Sequence, residues 1–486
     1  MRLIIEARLA DGDSDTVGEG DGVLAVVERP DCSLADLGLS LAEGRSLLAK
    51  VQAELISKQV QWWISGQTHC QSCGAALSHK DSRSTVLRTV YGKVTVKSPR
   101  LWSCACQETA QTPQRVVHPL SKTLTRRVTP ELEYLQAKWA AYLPYRQAAA
   151  MLKEVLPLDK GVSFSGTRDR ILELGKQLDA DIERDIAQLP PSVEDEQVRE
   201  CIHVAAVSVD SAWLRNCDAG RDPGFHVNIV AGRATFTDGP PKLYAYVHRE
   251  VTSAAARLDQ FLHRNGVASD ERVTVISDDA GEFSKTVEGS QLARGRVLDW
   301  FHIAMKFQAA QRSVFGSKMI DSTERESVET EITHAKWLVW HGKGGKALER
   351  IKALDSRLLA REGYEFKTLW WNLNTISSYL KNNAHMLVNY GARHRKGLPI
   401  SSSIAESAVN QVVSYRMAKK RQMRWTDEGA HCMAQVRVAV LNGEFSPRCI
   451  LALKIAGSHD GKLIGPGSAG ARRQSDRTAR SRHASR

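Results

Sequence analysis

Residues 204–210 read Val-Ala-Ala-Val-Ser-Val-Asp, and residues 272–278 read Arg-Val-Thr-Val-Ile-Ser-Asp. Each run is rich in β-branched residues, which is typical of a buried strand, and each ends on an aspartate. A carboxylate at the end of a buried strand is held rigidly, as a metal ligand must be. The two runs predict an α/β fold with Asp210 and Asp278 as candidate metal ligands at the end of a sheet. The alternative is that each aspartate only begins a turn.

The segments around these runs predict the rest of the fold. Strands are predicted at 225–236, 242–248 and 297–301, a helix at 253–264, helices from 303 to about 390, and a final helix from near Ser403. Three strands, a helix, two more strands and a late helix are close to the order of an RNase H-like fold. The catalytic domain would then span 199–440, with a helical insertion at about 305–395.

Glu406 is the third acidic candidate, because it lies in the predicted late helix. The alternative is a purely structural role in a capping box, in which Glu406 only accepts a hydrogen bond from the backbone N–H of Ser403. Ile404, Ala405, Ala408, Val409 and Val412 give that helix a wide apolar side, so it must pack on something. Three carboxylates brought together would hold two Mg²⁺ (or Mn²⁺) ions for displacement at a phosphodiester. Asp279 competes with Asp278 for the second position, since adjacent strand residues face opposite ways.

Asp299 and His302 form an Asp-x-x-His at the end of the predicted fifth strand. His302 is a candidate catalytic residue that would contact the scissile phosphate or position a carboxylate. The alternative is a core histidine packed beside Trp300 and Phe301.

Four of the nine cysteines form two close pairs, Cys70-x-x-Cys73 and Cys104-x-Cys106, on either side of a predicted hairpin. Two thiolate pairs are what a four-coordinate structural Zn²⁺ requires, which predicts a zinc ribbon over 67–120. His69 and His118 are spare ligands, and the alternative is four unrelated cysteines. The other five are scattered and read as ordinary apolar residues: Cys32, Cys201, Cys217, Cys432 and Cys449.

Helical patterns flank this ribbon. Residues 1–66 contain a predicted helix at 41–63, for which Ser40 and Glu43 form a capping box. Residues 121–198 contain three predicted helices, read as a helix-turn-helix region. Lys122, Arg126 and Arg127 are its candidate DNA contacts. The alternative is a three-helix module that binds no DNA.

The formal net charge of +12 and the pI of about 9.2 favour a polyanionic partner. The tail 441–486 is basic and is expected to be partly disordered, because its last residues lack large apolar side chains. The chain has no apolar run long enough to span a membrane and no signal peptide pattern at its start. These features predict a cytoplasmic protein.

The chain resembles the ISKra-type family of bacterial insertion-sequence transposases from Cys70 to about Gly443. The resemblance is carried by residues 207–210, 275–280, 298–303 and 404–408, and by Arg416-Met417 and Met423-Arg424-Trp425. It implies a bacterial, nucleoid-associated RNase H-like DDE transposase with Asp210, Asp278 and Glu406 as the metal-binding triad. Arg416, Lys419, Lys420 and Arg424 are expected to contact DNA. The family usually shows Asp-Gly-Ala where this chain has Asp278-Asp279-Ala280, which keeps the choice between the two aspartates open.

Together these features predict metal-dependent cleavage at insertion-sequence ends, followed by attack of the freed 3′-hydroxyl on target DNA. The expected partners are double-stranded DNA, both transposon ends and target, and further copies of the chain on that DNA. The alternatives are an RNase H-like nuclease without strand transfer, and a non-enzymatic zinc-ribbon regulator that binds DNA.

Overall fold

A short antiparallel ladder and a long helix form the N-terminal part of the protein. β1 (Arg2–Glu6) pairs with β2 (Val23–Glu28), and α1 (Leu41–Ser65) follows. Ser40 and Glu43 form the predicted capping box, with Glu43 N donating to Ser40 Oγ at 3.2 Å and Ser40 N donating to Glu43 Oε2 at 2.9 Å. The computed structural model describes residues 1–7, 22–107, 115–121, 123–124, 126–158, 162–191, 193, 198–217, 226–278, 281–317, 320–401, 407–417 and 423–460.

A three-stranded antiparallel sheet packs against α1. Its strands are β3 (His79–Thr89), β4 (Gly92–Trp102) and β5 (Val116–Val117), in that order. The turn of the predicted hairpin consists of Val90 and Tyr91, and Gly92, which begins β4, has a φ of +111° that favours glycine. The buried core between this sheet and α1 is small and consists of Ile56, Leu87, Val94, Val96 and Leu120.

Three helices come next, close to the predicted bounds. They are α2 (Pro130–Tyr142), α3 (Tyr145–Val155) and α4 (Phe164–Ala187). Pro130 occupies the first turn of α2, where its missing N–H is not needed. Ser163 caps α4 by accepting from Gly166 N at 3.0 Å.

A six-stranded mixed sheet forms the centre of the protein. Its strands are β6 (Arg199–Glu200), β7 (Val204–Arg215), β8 (His226–Phe236), β9 (Lys242–Val247), β10 (Glu271–Ser277) and β11 (Ala293–Leu298). The order is β11-β10-β7-β8-β9, with β6 also paired to β10. β7, β8 and β9 are antiparallel, whereas β10 runs parallel to β7, β11 and β6. The protein is therefore a mixed α/β protein, as predicted.

One face of this sheet is covered by the helices α5 (Ala254–Arg264) and α6 (Gly281–Glu288). Side chains alternate between the two faces along each strand. Val207 and Val209 of β7 share this face with Val275 of β10, and they pack with Leu258 of α5 and Phe283 of α6.

The other face packs on helices from both ends of the chain. Leu214, Ile229 and Ala245 share one hydrophobic core with Ala140 of α2 and Leu174 of α4. The C-terminal helices complete this core: α12, which is a π-helical stretch Asn410–Ser414 continued by Tyr415–Met417, α13 (Asp427–Leu441) and α14 (Pro447–Asp460). α2, α4 and the large sheet therefore share a core, although 121–198 was expected as a separate region.

A helical block with its own core follows β11, where the insertion was predicted. Its helices are α7 (Trp300–Gly316), α8 (Ser322–Trp340), α9 (Gly344–Leu359), α10 (Thr368–Asn382) and α11 (Tyr390–Arg395). The apolar faces of these helices pack against one another and against Ile276 and Leu298 of the sheet.

Two predicted element ends were wrong. β7 was expected to stop before Asp210, but it continues to Arg215 because β8 pairs with it over that whole length. The strand expected at 297–301 ends at Leu298, and α7 begins at Trp300 because the Asp299 side chain caps it. The start expected for the late helix near Ser403 lies outside the described residues. In the described part of the chain, no helix is long and apolar enough to cross a membrane.

Candidate active site and cysteine cluster

Asp210 and Asp278 come from adjacent parallel strands. Val275 lies beside Val207 and Ile276 beside Ser208. Continuing this register by two residues brings Asp278 beside Asp210, and the period of two puts both side chains on one face. It is the face that carries Ala231, the partner of Asp210 on β8, and on which α12 packs. Both aspartates are half-buried.

Backbone contacts fix the two aspartates. Asp210 Oδ1 accepts from Ser211 N at 2.7 Å, which restrains the carboxylate within the strand. The carbonyl of Asp278 accepts from Ser277 Oγ at 3.0 Å and from the guanidinium of Arg296. Arg296 thus adds a cation beside the edge where the two carboxylates lie. Arg296 was not predicted as a site residue, because a lone arginine in a strand has no distinctive sequence pattern.

Asp299 and His302 lie at the same end of the sheet. Asp299 is fully buried and caps α7, with one carboxylate oxygen accepting from Phe301 N at 2.8 Å and the other bonded to His302 Nδ1 at 2.8 Å. Asp299 N in turn donates to Ser277 O at 3.0 Å, which ties the pair to β10. His302 is partly buried, with 31% of its side chain exposed.

The charges at this end favour the protonated form of His302. The hydrogen bond to Asp299 raises the pKa of His302, burial lowers it by a smaller amount, and the charges of Asp299, Asp278 and Asp210 raise it further. The charges of Asp299, Asp278 and Asp210 all act on the imidazole of His302, which agrees with the prediction that these residues lie near one another.

Two fixed points of the chain flank the position of the aspartates. Ile400 O accepts from Trp300 N at 3.1 Å, beside the start of α7. Ser407 Oγ lies 3.5 Å from Nη1 of Arg233, which belongs to β8, the strand next to β7. Ser407 Oγ also accepts from Gln411 Nε2 at 2.9 Å. Glu406 and Ser403, the two ends of the alternative capping box, lie outside the described residues, as does Asp279. Among the described residues, Asp210 and Asp278 do not join a group of three metal-ligand atoms within 4.8 Å.

The four cysteines of the small sheet come together as predicted. Cys70 Sγ lies 3.6 Å from Cys106 Sγ, Cys73 Sγ lies 3.4 Å from Cys104 Sγ, and all four sulfurs lie within 4.8 Å of one another. A tetrahedral zinc with Zn–S bonds of about 2.3 Å needs sulfurs about 3.8 Å apart. The donor set and spacing therefore suit Zn²⁺. His69 and His118 are not part of this group.

Local turns hold these sulfurs. Cys70 N donates to Ala75 O and Gly74 N to Cys70 O, each at 2.8 Å, and Gly74 has a φ of +73°. Hydrogen bonds from the backbone of Cys73 and Ser72 lower the pKa of Cys70 to about 6, whereas the surrounding sulfurs raise the pKa of Cys106 well above its usual value. Four thiols this close cannot all ionise without a cation beside them.

The predicted DNA-contact residues are placed differently from one another. Arg127 and Arg424 are exposed, and Arg126 is ion-paired to Glu173 and lies 3.8 Å from Glu133. Lys122, Lys419 and Lys420 lie outside the described residues.

Arg416 is the exception, because its side chain is fully buried. Its Nε donates to Ala140 O at 2.8 Å, and its guanidinium lies 5.0 Å from the ring of Tyr145 and 5.5 Å from that of Trp425. A buried guanidinium needs such partners, and here they belong to the protein. The expectation that Arg416 contacts DNA is therefore corrected: in this structure it joins α12 to α2.

The comparisons with known proteins give a remote likeness. No family model matches the chain, and no curated protein matches it. Among solved structures it is similar to the Drosophila P element transposase strand transfer complex, at 12% sequence identity and a TM-score of 0.22. That match covers 71% of this chain and 88% of the other.

Proposed function

We propose that this protein is a DNA transposase with an RNase H-like catalytic core, in which Asp210, Asp278 and Glu406 hold two Mg²⁺ or Mn²⁺ ions. The observation that carries the proposal is the register of β7 and β10. It gives two aspartates adjoining positions on one face of the sheet, and that face is the one on which α12 packs.

The topology supports the proposed core. Three antiparallel strands are followed by two strands parallel to the first, in the order β9-β8-β7-β10-β11, with α5 between β9 and β10. This is the order expected for an RNase H-like sheet, and the helical block after β11 is then an insertion. A fold alone does not define an activity, so the proposal rests on the residues at the strand ends.

The anchors at Ile400 and Ser407 support Glu406 as the third ligand. Ile400 is hydrogen-bonded to the start of α7, which follows β11, and Ser407 is hydrogen-bonded to Arg233 of β8. β10 and β7 lie between β11 and β8 in the sheet. Glu406 directly precedes Ser407 in the sequence.

The chemistry required is in-line displacement at phosphorus. Two bound divalent ions would activate the attacking oxygen and stabilise the leaving one. The residues of the chain position the reaction: Asp210 and Asp278 are fixed by backbone contacts, and a protonated His302, oriented by Asp299, would donate to a phosphate oxygen. Arg296 would offset negative charge near the scissile group.

The remaining parts serve DNA binding in this proposal. The cysteine cluster holds a structural zinc and keeps the ribbon 67–120 folded. Arg127 and Arg424, which are exposed, contact DNA together with Lys122, Lys419 and Lys420. Several copies assemble on the two ends, and the predicted division into 1–66, 67–120, 121–198, 199–440 and 441–486 is kept as part of the proposal. The ISKra-type family remains a prediction.

The test is excision and integration of a marked element, bounded by the DNA that flanks the gene, in cells that express each variant at equal level. The variants are Asp210→Asn, Asp278→Asn and Glu406→Gln, and Asp238→Asn in the exposed β8–β9 turn is the matched control. We expect all three variants to lose excision and integration while they keep end binding, and the control to retain both.

Other outcomes separate the alternatives. Cleaved ends without any joined product would assign the protein to nucleases. An Asp210→Asn variant as active as wild type would exclude the metal-triad mechanism. Full activity in Glu406→Gln alone would leave Glu406 as a helix cap, as in the capping-box alternative.

A further inference from the structure

A second group of metal-ligand side chains lies at the other end of the large sheet. Cys201, His203 and Glu271 bring one donor atom each to within 4.8 Å of one another. Cys201 Sγ lies 3.3 Å from His203 Nδ1. Glu271 begins β10, seven positions before Asp278, so at about 3.3 Å per residue the two ends are about 23 Å apart.

The donor spacing suits a zinc ion. Bonds of about 2.3 Å to sulfur and about 2.0 Å to nitrogen, at a tetrahedral angle, put the two donors about 3.5 Å apart. The observed distance between Cys201 Sγ and His203 Nδ1 is close to this value. A thiolate and an imidazole select Zn²⁺ over Mg²⁺, which prefers oxygen ligands only. A carboxylate as third ligand leaves a fourth position for water.

The surroundings hold the group in place. Glu271 is 5% exposed and Cys201 7% exposed, so neither side chain is simply solvated. Glu271 Oε2 accepts from Ala268 N at 3.0 Å, and its Oε1 lies 3.4 Å from Arg199 Nη2. Contacts of this kind orient a ligating carboxylate. Cys201 N donates to Arg272 O at 3.0 Å, so the loop that carries the thiol is fixed to β10.

The group joins parts of the chain that the sheet alone connects weakly. β6 pairs with β10 through two residue pairs, Arg199 with Glu271 and Glu200 with Arg272. A bound ion would link the loop after β6 and the start of β7 to the first residue of β10.

We propose that Cys201, His203 and Glu271 bind a second Zn²⁺ ion, which ties the entry of the chain into the large sheet to β10. This site is separate from the four-cysteine cluster, whose ligands all lie between positions 70 and 106. It is also separate from the carboxylate edge proposed for catalysis. The ion would close a loop of about 70 residues between Cys201 and Glu271.

The test is the zinc content of purified full-length protein, measured by mass spectrometry of the metal after dialysis against metal-free buffer. We expect two zinc ions per chain in the wild type, and one in Cys201→Ser and in His203→Gln. The exposed Cys32 provides the matched control, because Cys32→Ser removes a thiol from neither group and should keep two ions.

Cobalt gives a readout that does not depend on the ribbon. In a variant with Cys70, Cys73, Cys104 and Cys106 all changed to Ser, added Co²⁺ should still give a thiolate-to-metal absorption band. That band should be weaker than in the wild type, since one thiolate remains, and it should vanish when Cys201→Ser is added. Equal zinc in wild type, Cys201→Ser and His203→Gln would overturn the proposal, whereas a single wild-type ion that Cys201→Ser removes would contradict only the zinc of the cysteine cluster. The proposal would also be overturned if the quadruple variant gave no cobalt band, or gave a band that persisted after Cys201→Ser was added.

Discussion

The cysteines of the small sheet and the aspartates of the large sheet are held by different kinds of structure. The cysteine ligands lie on turns, and the core beneath them is a cluster of five buried residues. Asp210 and Asp278 lie in or directly after strands whose two faces are covered by extensive hydrophobic cores. A small core contributes little folding free energy, so the ribbon should depend on its ion for folding. The carboxylate edge of the large sheet should keep its fold without Mg²⁺ or Mn²⁺ and need those ions only for the reaction.

The sharpest test of this comparison is removal of the ribbon's ion by Cys70→Ser. Structural zinc contributes on the order of 10 kcal/mol in small zinc-binding peptides, so we expect residues 67–120 to lose their fold. Hydrogen exchange followed by mass spectrometry should show fast exchange over β3 and β4 and unchanged protection over β7 to β10. Cys449→Ser, in a partly buried position of α14, is the control. Slow exchange of β3 in the variant would mean that packing on α1 suffices to hold the ribbon.

The opposite behaviour is expected at the large sheet. Asp210→Asn should lower cleavage by at least about 10²-fold, the scale on which single charge-stabilising groups act. Its thermal unfolding should stay within a few degrees of wild type, or rise, because removing one carboxylate relieves repulsion with Asp278. The measurement is thermal unfolding without Mg²⁺, beside the activity assay, with Asp238→Asn as the control. A large loss of stability in Asp210→Asn would show that this carboxylate serves folding.

Local patterns were enough to predict several features. The Ser40–Glu43 capping box and the four-cysteine group each depend on residues close in sequence, and each is present in the structure. Asp210 and Asp278 were predicted to lie together because each follows a β-rich run; β10 stops before its aspartate, whereas β7 continues past Asp210.

Features set by distant residues were not predictable. The end of β7 depends on β8, which pairs with Arg215 through His226. The apolar run before α7 reads equally well as strand or helix, and only the Asp299 cap distinguishes them. Arg416 stands in a basic segment, yet its carbonyl partner is Ala140, far away in the chain. For the same reason Cys201 was read as an isolated thiol, although Glu271 lies beside it in space.

A glycine tests whether α4 belongs with the large sheet. A Cβ on Gly175 would lie 2.6 Å from Cys432 O of α13, so Gly175→Ala must push the two helices apart. Overpacking of this kind costs about 1–3 kcal/mol. We expect that loss in the free energy of unfolding measured with urea.

The matched control is Gly345→Ala in the first turn of α9, where an added Cβ meets nothing within 4 Å. That change should be neutral or slightly stabilising, because alanine is the better helix former. If Gly175→Ala were equally neutral, α4 would move independently of α13, and 121–198 would form a third unit apart from the large sheet.

The smallest expected effect concerns His302, which connects the carboxylate edge to pH. Its pKa in the folded protein is raised above the ordinary 6.5, chiefly by the hydrogen bond to Asp299 and against the opposing effect of burial. A raised pKa means that the protonated form stabilises the folded state. That contribution is complete below pH 6.5 and is lost as the pH rises through the folded-state pKa. The imidazole is partly exposed, so the effect should be on the order of 1 kcal/mol or less.

The measurement is the free energy of unfolding of wild type and His302→Gln across this pH range, in buffer without Mg²⁺. We expect wild type to exceed the variant most at the acid end and the difference to shrink as the pH rises. His385→Gln, at an exposed position between α10 and α11, controls for the loss of a histidine as such. A difference that grows with pH would mean that the neutral imidazole is the form the folded protein favours. The carboxylates at this edge would then impose less negative potential on His302 than their positions in the sheet imply.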